Sequence, residues 1–211
     1  YKRAAAYGDV AAQYKLAQYY SEEYCHGIED DEQKVFTLYK KAACQGYVAA
    51  QLELGDCYIE GFGVEVNLRK GFEWIKKAAD QGYVKAQLSL GNCYEKGYGV
   101  EVDAQKAFKW YKRASEQGHL EAQYKEATCY LEGIGTKKDE SKAIEWYKGA
   151  AEQGNKEAQY MLAQCYEYGN GVNENEQKAI EWYKKALENG KQAAQYKLAQ
   201  LERNTLFYNN P

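Results

Sequence analysis

The chain has 211 residues, with 28 Lys+Arg against 31 Asp+Glu and a formal net charge of −3. At 45% apolar and 15% aromatic it can build a core and is too rich for a disordered chain, while no apolar run nears the roughly 20 residues of a membrane span. A near-neutral, slightly acidic chain has no basic footprint, so neither nucleic acid nor membrane insertion is expected.

Along the chain, Tyr1-Lys2-Arg3-Ala4-Ala5 matches Tyr39-Lys40-Lys41-Ala42-Ala43 and reads as the last turns of a helix. A chain that opens inside a repeated unit is expected to be part of a larger polypeptide. Ala-Gln then recurs at Ala12-Gln13, Ala50-Gln51, Ala86-Gln87, Ala122-Gln123, Ala158-Gln159 and Ala194-Gln195, at steps of 38, 36, 36, 36 and 36. Trp74, Trp110, Trp146 and Trp182 keep the 36-residue step, as do Gly46, Gly82, Gly118, Gly154 and Gly190. A period of this size signals stacked supersecondary units, none of which buries its apolar face alone.

The two extra residues of the first step fall in a loop expected over Ser21–Gln33, which holds Cys25 and His26 and is a candidate contact element. One unit reads as two helices. The first, Val48 to Glu60, puts Ala50, Leu54 and Tyr58 on one face and ends at Gly61-Phe62-Gly63, where glycine tolerates the positive φ that stops a helix. The second, Leu68 to Gln81, presents Phe72, Trp74, Ile75 and Ala78 and closes at Gly82. Short connections make neighbours antiparallel hairpins, so the fold class is an all-α solenoid of antiparallel helix pairs. A sixth first helix is expected from Lys191 to Arg203, giving one solenoid over 1–203 and a tail over 204–211.

The pattern of Ala86-Gln87, Leu90-Gly91, Tyr94 and Gly97-Tyr98-Gly99-Val100, followed by Lys106-Ala107, Trp110-Tyr111-Lys112-Arg113-Ala114 and Gly118, resembles the Sel-one-like repeat. That family is a 36-residue cousin of the tetratricopeptide repeat, and the resemblance covers nearly the whole chain. It implies a right-handed α/α superhelix whose concave face is lined by the first helix of each unit. It also implies a scaffold or adaptor that binds a protein or peptide. Its disulfide-rich branch has been credited with β-lactam binding, but this chain lacks that branch's paired cysteines and has no Ser-x-x-Lys motif.

Positions identical in every unit serve stacking, and positions that vary are free for recognition. On a wheel of about 100° per residue, the side opposite Ala50, Leu54 and Tyr58 carries a first row of Tyr14, Leu52, Leu88, Tyr124, Tyr160 and Tyr196. Beside it run Gln18, Asp56, Asn92, Thr128, Gln164 and Gln200, with Glu95 further along. Tyrosines and leucines beside amides offer contact area and hydrogen bonds to an extended backbone. The same residues would serve equally as padding between units. The acidic outer row favours a peptide bearing Lys or Arg. A structural spacer or self-associating arm is the alternative function.

No nucleophile–base set, cofactor motif or metal-ligand spacing is visible, so the chain is expected to be non-catalytic. Gly-x-Gly at 61/63, 97/99, 133/135 and 169/171 follows helices, not strands, and cannot be a dinucleotide turn. The tryptophans read as stacking residues. Cys57, Cys93, Cys129 and Cys165 share one position at a step of 36 and read as small apolar side chains, too far apart at roughly 9–10 Å per packed helix to bridge each other. With no Asn-x-Ser/Thr acceptor either, a reducing, cytoplasmic setting is expected. Glu126 is a misfit: Leu16, Leu54, Leu90, Leu162 and Leu198 hold its position elsewhere, and a buried carboxylate needs a partner or a proton.

Overall fold

The computed structural model describes the backbone of residues 1–23 and 29–208, and their side chains except at 22, 23, 29–31, 202 and 204–208. Among the described residues every regular element is α-helical. In chain order these are α1 (Lys2–Ala6), α2 (Val10–Glu23), α3 (Glu29–Cys44), α4 (Val48–Glu60), α5 (Leu68–Asp80) and α6 (Val84–Lys96). There follow α7 (Ala104–Glu116), α8 (Leu120–Glu132), α9 (Glu140–Glu152), α10 (Lys156–Tyr168), α11 (Glu176–Glu188) and α12 (Ala193–Tyr208). The chain gathers into two compact units, Tyr1–Trp110 and Tyr111–Pro211. In the first, each helix from α1 to α6 packs on the next; in the second, the same holds from α8 to α12.

Helices α4, α6, α8 and α10 each stop at a glycine. Gly61, Gly97, Gly133 and Gly169 sit in the left-handed region at φ 79°, 76°, 74° and 70°, and their amides bond back to the carbonyls of the four periodic cysteines. The second helices start on side-chain caps. Asn67, Asp103, Asp139 and Asn175 accept from the amides of Lys70, Lys106, Lys142 and Lys178 at 2.9–3.1 Å. Each cap residue also donates its own amide to the carbonyl of Tyr58, Tyr94, Tyr130 or Tyr166. The capped lysine lies 5.3–5.6 Å above the ring of that tyrosine. One tyrosine thus pins the loop by its carbonyl and seats a cation on its ring, in four successive repeats.

The Ala-Gln pairs face inward. Ala50, Ala86, Ala122, Ala158 and Ala194 are wholly buried, and the glutamines tie three helices together. Gln13, Gln51 and Gln159 donate to the carbonyls of Ala5, Ala43 and Ala151 on the preceding helix. Their own oxygens accept from Gln45, Gln81 and Asn189 at the end of the following one. Gln195, in α12, is exposed.

Three expectations need correction. The loop expected over Ser21–Gln33 is helical at both ends, because α2 continues to Glu23 and α3 begins at Glu29; Cys25 and His26 lie outside the described residues. Helix α12 continues to Tyr208 rather than ending at Arg203, so most of the expected tail is helical. The tryptophans are half-buried, and the deepest residue is the one after each: Ile75, Tyr111, Tyr147 and Tyr183 are at most 1% exposed. Trp74 packs against the buried cluster of its unit, and Lys77 and Lys185 lie over the Trp74 and Trp182 rings at 5.0 and 4.1 Å.

Candidate functional site

The first-helix row differs between the two units. In the N-terminal unit Tyr14, Leu52 and Leu88 are buried at 8%, 5% and 7% exposure. Tyr14 stacks against Tyr39 and Tyr47 at centroid distances of 5.9 and 4.9 Å, and Gln18 donates to its hydroxyl at 3.0 Å. These three positions fill the space between helices. Gln18, Asp56, Asn92 and Glu95 remain half-exposed beside them.

Charge in this unit collects on α4. Burial lifts the Asp56 carboxyl to about 7, with repulsion from Glu53 and Glu60 adding to it. Burial also raises Glu53, against the pull of Lys85, and pushes the Tyr14 phenol up to about 12, Glu53 contributing next. Glu53 lies outside the residues expected to form the site. Its equivalents are Lys15 and Ser89 in the same unit, so only the change of residue along the repeat could have flagged it.

In the C-terminal unit the row is open. Tyr124 and Tyr160 are half-buried, resting on the sealed Tyr147 and Tyr183 at 6.1 and 5.3 Å, and Tyr196 is 75% exposed. Thr128 shares a 2.9 Å hydrogen bond with the Tyr147 hydroxyl, and Gln164 stands half-exposed. Tyr196 borders a cleft of about 300 Å³ completed by Ala199, Gln200 and Arg203.

A polar cluster ties α10, α11 and α12. The Tyr183 hydroxyl donates to Glu167 Oε2 at 2.5 Å, and Lys197 Nζ reaches Glu167 Oε1 at 3.0 Å and the Tyr168 hydroxyl. Burial favours the neutral form of Glu167, but bonds from Tyr183, Lys197 and Tyr168 outweigh it and hold the carboxyl below its ordinary range. Burial and this bond together raise the Tyr183 phenol. Lys197 was not among the residues expected at the site; its charge facing Glu167 one repeat earlier is the only sequence signal for it.

Glu126 is 1% exposed and accepts a hydrogen bond from the Ser115 hydroxyl. Burial raises its carboxyl despite that bond and despite Lys112. The two residues are exchanged together: Ala79 and Ala151 stand where Ser115 does, and Leu90 and Leu162 where Glu126 does. Buried in this way, the pair is a packing contact with no access for a ligand. Among the described residues no three His, Cys, Asp or Glu side chains gather closely enough to hold a metal ion, and no helix is long and apolar enough to cross a membrane. Burial pushes the Cys57 and Cys93 thiols up to about 12 and Cys165 to about 11, away from reactive thiolate.

The Sel1 repeat profile matches residues 10–47, 48–83, 84–119, 120–155 and 156–191. A protective antigen of uropathogenic Escherichia coli displaying an SLR fold is similar over 97% of this chain and 44% of its own, at 32% identity and a TM-score of 0.85. The chain therefore spans less than half of that antigen. A Sel1 repeat protein from Oxalobacter formigenes shares 34% identity over 88% of this chain and 76% of its own, with a TM-score of 0.78. An immunity protein of Pseudomonas aeruginosa, at 21% identity over 88% of this chain and 67% of its own and a TM-score of 0.60, shares the fold alone. A comparison with curated protein sequences finds no match. Five matched repeats and the helix pairs that carry them place this chain in the Sel1 repeat family.

Proposed function

We propose that the chain is a non-catalytic interaction scaffold that takes a peptide or protein segment on the first helices of its C-terminal unit. Repeats of this family commonly serve as protein-interaction scaffolds. The observation that carries the reading is the divergence of exposure at one repeat position. The alanine of every Ala-Gln pair is buried, yet the row passes from buried Tyr14, Leu52 and Leu88 to half-exposed Tyr124 and Tyr160 in α8 and α10. Two-torsion aromatic rings on a rigid frame lose little rotamer freedom on binding. Thr128 and Gln164 add groups that can bond a peptide backbone. Tyr14, Leu52 and Leu88 are withdrawn from the surface by their burial, and Gln18, Asp56, Asn92 and Glu95 are the half-exposed first-helix positions of the N-terminal unit. A reducing, cytoplasmic setting belongs to the same proposal.

The test is quantitative capture of partners from a native extract by wild type and by Tyr160→Ala/Tyr196→Ala, both checked for equal thermal stability. Loss of a defined set of partners from the variant is expected. Retention of every partner would move the binding face elsewhere.

A further inference from the structure

The loops joining first to second helices follow directly on the first helices. In the N-terminal unit two of them carry the same tripeptide, Val64-Glu65-Val66 and Val100-Glu101-Val102. Val66 and Val102 are 60% and 66% exposed, and Leu68, which follows the first tripeptide, is 38% exposed. The loops abut: a Cβ placed on Gly99 would lie 2.1 Å from the Leu68 carbonyl oxygen, so Leu68 directly adjoins the second loop. Val66, Leu68 and Val102 therefore follow one another along a single edge.

The fold does not require valine there. The equivalent residues in the C-terminal unit are Lys138 and Glu174. In all four loops the side chain at this position lays its stem against the left-handed glycine that ends the helix, at 2.8, 3.0, 3.4 and 3.0 Å from a Cβ built on Gly61, Gly97, Gly133 and Gly169. A lysine or glutamate stem closes the loop as a valine does. The exposed apolar surface of the two valines thus goes beyond what the loop needs.

Charge states what would cover it. Glu65 and Glu101 are both exposed; Glu101 is felt by Lys106, whose salt bridge is to Asp103. The cations nearby are engaged: Arg69 with Glu73 at 3.6 Å, Lys106 with Asp103 at 3.0 Å, and Lys70 on the Tyr58 ring. A cleft of about 310 Å³ opens at the same edge, walled by Glu32, Gln33, Val64 and Glu65. Apolar groups interleaved with exposed carboxylates match an extended segment that alternates apolar side chains with cations. We propose that the Val64–Val102 loop edge is a second docking surface, which receives an extended protein segment alternating aliphatic residues with lysine or arginine.

The experiment titrates the ¹⁵N-labelled chain with a short capped peptide alternating lysine and leucine, and follows backbone amide shifts. Shifts are expected at residues 63–68 and 99–103, with an affinity that falls as salt rises. A glutamate–leucine peptide should bind at least about tenfold more weakly, as should Glu65→Lys/Glu101→Lys toward the lysine peptide. Val66→Ser/Val102→Ser should weaken binding several-fold, while Tyr160→Ala/Tyr196→Ala leaves it unchanged. The charge-swapped peptide needs no variant, so folding of the variants does not limit the test. Absence of binding, shifts confined to other surfaces, or equal affinity for the two peptides would overturn the proposal. So would a wild-type dimer in light scattering that Val66→Ser/Val102→Ser dissolves, because the edge would then belong to a second copy.

Discussion

At the scale of single residues, the repeat supplies its own controls. Gln51 has both ends of its amide satisfied inside the core, whereas the Gln123 oxygen is buried without a partner. An unsatisfied buried group costs about 1–3 kcal/mol. Gln51→Leu should therefore destabilise by at least about 2 kcal/mol, and Gln123→Leu by far less, in denaturant unfolding followed by circular dichroism. Glu126 gives a pH signature. Burial lifts its carboxyl above the ordinary 4.5, so the folded state holds a proton that the unfolded state releases. Its contribution is complete below pH about 4.5 and is lost as pH rises through the raised native value. Glu126→Gln should flatten that part of the stability profile relative to wild type. Ser115→Ala/Glu126→Leu restores the pairing of the neighbouring repeats and should stabilise by about 1–3 kcal/mol at neutral pH.

At the scale of helices and loops, close approach decides what glycine is for. A Cβ on Gly55 would meet Ile75 Cγ1 at 2.5 Å and the Gly71 carbonyl at 3.0 Å, and one on Gly71 would meet Ile59 and the Gly55 carbonyl. Helices α4 and α5 cross backbone to backbone there, so Gly55→Ala should cost about 1–3 kcal/mol by overpacking. Gly91 holds the same place in α6, but Ala127 and Ala163 hold it in α8 and α10, so the repeat does not require glycine there in every hairpin. The helix pairs were legible because three residue types recur at one period, and α4 begins and ends where the spacing of apolar residues and glycine puts it. What the sequence could not rank was depth. Trp74 and Tyr111-type positions are adjacent and both aromatic-rich, and only the tilt of the second helix decides which faces inward. The open row was legible as a row, but its closure at Tyr14, Leu52 and Leu88 depends on neighbours such as Tyr47 that lie outside the row itself.

At the scale of the whole molecule, one frame is used for two unlike surfaces. Buried Ala-Gln pairs, cysteines and capped loops recur from repeat to repeat, while the outer first-helix positions and the loop edges vary most. The periodic cysteines belong to the frame: Cys57, Cys93, Cys129 and Cys165 are buried while Cys44 is exposed. A thiol reagent should modify Cys44 rapidly and these four only on unfolding. The central claim is that the first-helix tyrosines of the C-terminal unit do the recognising, and selection from a random peptide display library tests it most directly. The account predicts enriched sequences whose affinity drops at least about tenfold on Tyr160→Ala/Tyr196→Ala, with the helical circular dichroism spectrum retained. Enriched peptides that bind this variant as tightly as wild type would contradict it.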